Sequence, residues 1–123
     1  DTHTLLWMQS RSQHLSSAAH EAIASTEHEI AFSTAGFWEI GIKVSLGKLE
    51  LSPGWAEDIP REMSRNGVTW LPIAPAHVAA VASLPWHHRD PFDRLMIAQA
   101  LREDMAVVTR DAVFSDYGIE VVW

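Results

Sequence analysis

A helix with an acid at the head of its buried stripe constrains this chain more than any other feature. Across residues 87–100, HHRDPFDRLMIAQA, Asp90 followed by Pro91 reads as an N-cap and first helical residue. The residues after it are good helix formers with no internal Gly or Pro. Asp93 then falls at the third helical position, and its i+3, i+4 and i+7 partners are Met96, Ile97 and Ala100, so it heads an apolar stripe that faces the interior. Two ordinary accounts exist for such an acid: a capping-box-like pair with Asp90, or complementation of the positive helix end. The next segment weighs against them. The apolar run 105–108 reads as a buried strand ending in Thr109-Arg110-Asp111, and the carboxyl ends of parallel strands are where α/β folds place their chemistry.

The rest of the chain alternates in the same way. Leu15, Ala19, Ala22 and Ile23 recur at helical spacing after Ser16-Ser17, which predicts a helix to about residue 26 and then a short strand over 29–32. Ser33 or Thr34 caps a second helix, residues 35–46, that is apolar nearly all round through Phe37, Trp38, Ile40, Ile42 and Val44. The expectation is a deeply packed helix with Trp38 in the core. Gly47 stops it. A helical region after Ser52-Pro53 carries Trp55, Ile59 and Met63, with Pro60 expected to kink or divide it and Gly67 to end it. There follow a strand over 68–73, a helix over 75–83, the long helix from 91, the strand 105–108, a short helical turn within 111–117 and a last strand over 119–123. Short apolar strands between helices predict an α/β domain, a single unit over residues 1–123, in which a parallel central sheet is covered by helices on both faces in three layers, α/β/α. The opening Asp1-Thr2-His3-Thr4-Leu5-Leu6-Trp7 reads like a strand end entering a helix, so a first strand is expected before residue 1.

Composition narrows the function. A length of 123 residues suits one domain with a real core and no need of disulfides or a structural metal. The absence of cysteine removes disulfide frameworks, zinc ribbons and thiol nucleophiles, and fits a reducing compartment such as a bacterial cytoplasm. No run reads as membrane-spanning or as a signal peptide. A formal charge of −7 argues against a surface that coats itself in nucleic acid, though not against a nuclease. Carboxylates converging on divalent cations would account for part of that charge.

Four acids stand at strand ends or in a helix beside one: Asp1, Glu39, Asp93 and Asp111. Each has a duller account, since Glu39 can pair with Lys43 at i,i+4, Asp111 can cap the turn beginning at Ala112, and Asp1 can be an ordinary terminal residue. The helix of Glu39 reads as too buried for a surface ion pair. In Asp1-Thr2, Trp38-Glu39-Ile40, the run from Asp90 to Ala100 and Thr109-Arg110-Asp111, taken in that order, the chain resembles the PIN-domain nucleases. The likeness is greatest to the VapC-type toxins of bacterial toxin–antitoxin pairs. It spans nearly the whole chain, and the combined pattern carries it rather than any one piece.

The resemblance implies an endoribonuclease whose metal-site acids are Asp1, Glu39, Asp93 and Asp111, with Thr109, Thr2 and Ser33 as supporting hydroxyls. It also implies an RNA substrate, a homodimer and a small antitoxin seated in a groove. Oxygen donors without cysteine or paired histidine suit Mg²⁺ or Mn²⁺ rather than zinc. Arg89, Arg94 and Arg110 flank the acids and are candidate phosphate contacts, with ordinary salt bridging as the alternative. The seven histidines contain no H-E-x-x-H pair, and His87-His88 reads as a solvated loop doublet, a phosphate contact being its other reading. Trp7, Trp55, Trp70, Trp86 and Trp123 are too many for one small core and are expected to form a partly exposed aromatic surface, for a protein partner first and for base stacking second. The competing class is a catalytically silent module on the same scaffold, acting through that surface. A phosphoacceptor domain would need a lysine after a late strand, and none follows Lys48.

Overall fold

The computed structural model describes residues 1–10 and 13–123. In chain order the helices are α1 (Thr2–Gln9), α2 (Ser17–Ala24), α3 (Thr34–Ser45), α4 (Trp55–Arg65), α5 (Pro75–Val81) and α6 (Pro91–Glu103). The strands are β1 (Ala31–Ser33), β2 (Thr69–Leu71), β3 (Val107–Val108) and β4 (Val121–Val122), and a 3-10 helix, Ala112–Tyr117, joins the last two. The order of elements follows the sequence pattern, with strands shorter than expected.

Caps fix where the helices begin. Ser16 accepts from the Ala19 N–H, Ser33 from Ala35, and Asp90 from both Phe92 and Asp93, so each predicted cap satisfies donors that the first turn leaves free. Pro91 occupies the first turn of α6, where a missing N–H costs nothing. Gly47 and Gly67 end their segments with φ of +67° and +68°, a backbone region closed to most side chains. Pro60, expected to break the fourth helix, sits inside a continuous α4. One helical hydrogen bond is lost, and the burial of Ile59 and Met63 on the same helix offsets it.

All pairing is parallel. β1 lies beside β2 with Phe32 opposite Trp70, and β3 lies beside β4 with Val108 opposite Val122. The two pairs are separate, and an apolar cavity of about 140 Å³ is lined by residues of both, including Phe32, Ser33, Val107 and Val108, with Met96 from α6 and Leu5 from α1. Two cores result. Met96, Ile97, Ala98 and Ala100 of α6 pack with Phe114, Ile119 and Leu84, whereas Leu5, Phe32, Ile40, Ile59, Met63 and Val68 form the second cluster. α3 packs on both α1 and α6, so it ties the two halves. At Gly36 this junction is tight: a Cβ would fall 2.6 Å from Phe32 Cζ and 2.9 Å from Thr2 Oγ1.

The expectation that Trp38 belongs to the core is overturned. The residue is 58% exposed and meets Phe92 edge-on at 5.1 Å, because Ala35, Gly36, Glu39 and Ile40 turn inward and leave position 38 on the outer face of α3. Of the other tryptophans, Trp86 and Trp70 are exposed, while Trp7, Trp55 and Trp123 are half-buried against other aromatic rings. Among the described residues no helix is long and apolar enough to cross a membrane.

Candidate active site

The four acids predicted from sequence all sit where an element starts or turns inward. Asp1 caps α1, with Oδ1 accepting from the Thr4 N–H at 2.7 Å and Oδ2 from the Thr109 hydroxyl at 2.5 Å. Asp111 follows β3 and caps the 3-10 helix, its Oδ1 accepting from the Val113 N–H at 2.9 Å. Its backbone N–H donates to Thr109 Oγ1 at 3.0 Å, so one threonine joins Asp1 to Asp111. Glu39 is buried on α3 and accepts from the Thr2 hydroxyl at 2.6 Å, with Lys43 Nζ at 2.5 Å from its other oxygen. The ion pair that helix burial had argued against is therefore present: Lys43 is one turn along and long enough to reach back to a buried carboxylate.

Asp93 lies in the first turn of α6 and is held differently. Burial pushes its carboxyl up to about 6, with the Asp90, Glu39 and Asp111 charges adding to the effect and His88 opposing it. His88 Nε2 is 2.9 Å from Asp111 Oδ2 and 3.3 Å from Asp93 Oδ2. The donor atoms of His88, Asp93 and Asp111 all lie within 4.8 Å of one another, a spacing that a divalent cation accepts. Two clustered carboxylates, one of them costly to ionise without a cation nearby, fit such an ion.

Three expectations change. Arg94 does not face the site. Its buried guanidinium donates to the carbonyls of Val81, Leu84, Pro85 and His88 at 2.8–3.1 Å, with Trp86 lying 3.9 Å over its plane. Those carbonyls belong to the end of α5 and the loop after it, where orphan acceptors and the negative helix end favour a cation. The Ser33 hydroxyl caps α3 and donates to Gln99 Oε1, so it supports no carboxylate. His88, read as a solvated loop residue, is instead half-buried between two acids. The signal for it lies in its place two residues before the Asp-Pro helix start, which turns it back onto the head of α6. Arg89 and Arg110 are exposed on the segments that carry His88 and Asp111. Thr2 and Thr109 each hold a carboxylate.

The PIN domain family profile matches residues 1–120. This chain belongs to the PIN-domain family. The α/β fold of that family, layered α/β/α about parallel strands, agrees with the helices and parallel pairs described above. The domain is also 28% identical over 114 residues to a protein named ribonuclease VapC22 from Mycobacterium tuberculosis, the match covering 90% of this chain and 84% of that protein.

Proposed function

We propose that this PIN domain is a divalent-metal-dependent endoribonuclease, the toxin of a toxin–antitoxin pair. The observation that carries the reading is the meeting of Asp93, at the head of α6, and Asp111, just after the strand β3 that follows that helix, in a cluster that holds Asp93 well above the usual carboxylate range. The VapC-type relative supports the substrate class. Asp93 and Asp111 would hold the ion, with Asp1 and Glu39 completing the acidic rim, and Mg²⁺ or Mn²⁺ would supply an activated water and charge stabilisation at the phosphate. Thr109 and Thr2 orient the carboxylates of Asp1 and Glu39. Arg89 and Arg110, exposed on the segments that carry His88 and Asp111, would meet RNA phosphates.

The exposed indoles of Trp38, Trp70 and Trp86 give a small protein partner its anchoring surface, either an antitoxin or the second copy of a homodimer in the cytoplasm. Incubation with total RNA, with Mn²⁺ or Mg²⁺ and with chelator, tests the activity. Cleavage that requires the ion and is lost in Asp93→Asn supports the enzyme. An inert protein that still binds its partner supports the silent module instead.

A further inference from the structure

We propose that His88 is a positioning residue that donates from Nε2–H to Asp111, beside Asp93, and that it is not a ligand of the ion. The proposal rests on the reading that these acids hold a divalent cation. Proximity alone favours the opposite assignment, because Nε2 lies within ligand spacing of both carboxylates. The other ring nitrogen decides between them.

A metal-bound imidazole keeps its proton on the nitrogen away from the ion and gives that proton to an acceptor. Here the distant nitrogen faces a donor: the backbone N–H of Asp90 is directed at His88 Nδ1 at 3.1 Å. The Nδ1 lone pair is thereby engaged, and in the neutral ring the proton must sit on Nε2. A nitrogen in that state has no lone pair to offer a cation, yet it is a donor 2.9 Å from Asp111 Oδ2. Moving the proton to Nδ1 would set two N–H groups against each other.

The geometry is held from several sides. The His88 N–H donates to Tyr117 Oη at 2.7 Å, its carbonyl accepts from Arg94 Nη1 at 3.1 Å, and its ring stands edge-on to Phe114. Asp90 is itself fixed as the N-cap of α6, so the N–H that sets the tautomer is part of the Asp-Pro helix start. With Asp111 Oδ1 taken by Val113, the donor on Oδ2 fixes the plane of that carboxylate before any ion arrives. This also gives Arg94 a part in the site, through the loop and not through phosphate.

The test is the tautomer, read in the full chain by long-range ¹H–¹⁵N correlation of the imidazole, without and with Mg²⁺. The expected result is Nε2–H in both states. An Nδ1–H ring in either state overturns the proposal. Two variants extend it. His88→Gln keeps an N–H at similar reach and His88→Leu removes it, so RNA cleavage should fall about 10–100-fold in the Leu variant and recover, together with Mn²⁺ affinity, in Gln. Loss of Mn²⁺ affinity in both variants would identify a ligand. If His88→Leu does not fold, the Gln variant and the spectra still decide. If the wild-type protein binds no divalent ion, the metal reading fails, while the ion-free spectrum independently upholds or overturns the donor assignment.

Discussion

Glu39 and Asp93 are both acids on buried helix faces, and their surroundings are opposite. Glu39 has Lys43 on one oxygen and the Thr2 hydroxyl on the other, so its charge is met inside the protein. Asp93 has Asp90, Glu39 and Asp111 around it, His88 as its nearest opposing group, and a carboxyl raised to about 6. Glu39 already has its cation, whereas on the proposed reading Asp93 receives one. Position on an inward face does not by itself decide what an acid does; the groups around it do.

The largest effect is expected at Asp93. Asp93→Asn should lower RNA cleavage at least about a hundredfold, since even residues that only orient metal ligands cost 10–100-fold. The same change should leave the fold intact or stabilise it near neutral pH, because an uncharged amide removes the repulsion that Asp93 meets there. Cleavage assays and urea unfolding on the one variant check both. A variant that loses stability as well as activity would show that Asp93 is compensated like Glu39, and the contrast would fail.

pH and metal sharpen the contrast. A carboxyl whose folded value is raised to about 6 favours the protonated form in the native state, so its contribution is fully present below the unfolded value of about 3.9 and is lost as pH rises through about 6. The loss should be on the order of 2 kcal/mol and complete by pH 7. Mn²⁺ should restore it, raising Tm more at pH 7 than at pH 5, where Asp93 is largely protonated and competes with the ion. Equal shifts at the two pH values would place the ion elsewhere.

The comparison also explains how far the sequence could be read. Element order, the caps at Ser16, Ser33 and Asp90, and the acids at element ends were legible because each depends on near neighbours in the chain. The plain reading of Asp111 as a cap leaves room for the functional one, since one oxygen caps the 3-10 helix and the other meets His88, whereas Asp1, read plainly as a terminal residue, caps α1. Arg94 and His88 were exchanged in role. Four carbonyls gathered by a loop claim the arginine, and a backbone N–H two residues on turns the histidine inward. Neither arrangement has a period or a spacing that a sequence displays.

A smaller effect should appear at Lys43. Lys43→Met removes the cation from a carboxylate that stays buried, and the unpaired charge should cost about 1–2 kcal/mol, less than a fully buried pair because the ammonium is partly solvated. Thermal unfolding of Lys43→Met beside Glu39→Gln checks it. The double variant should recover most of the loss, since the charge that needed a partner is gone. No recovery would mean that Lys43 acts through another group.

The smallest effect is expected at Trp38, adjacent to Glu39 in sequence and opposite to it in burial. A buried indole replaced by alanine costs about 3–5 kcal/mol. Trp38 is 58% exposed with one aromatic contact, to Phe92, so Trp38→Ala should cost only about 1 kcal/mol in dilute protein. Urea unfolding at several protein concentrations tests this and the partner surface together. A monomer has a midpoint independent of concentration, and then the small loss stands by itself. If the wild-type midpoint rises with concentration and that of Trp38→Ala does not, the indole is covered by a second copy. The helix that holds a compensated acid inward would then be joining two chains with its outer face.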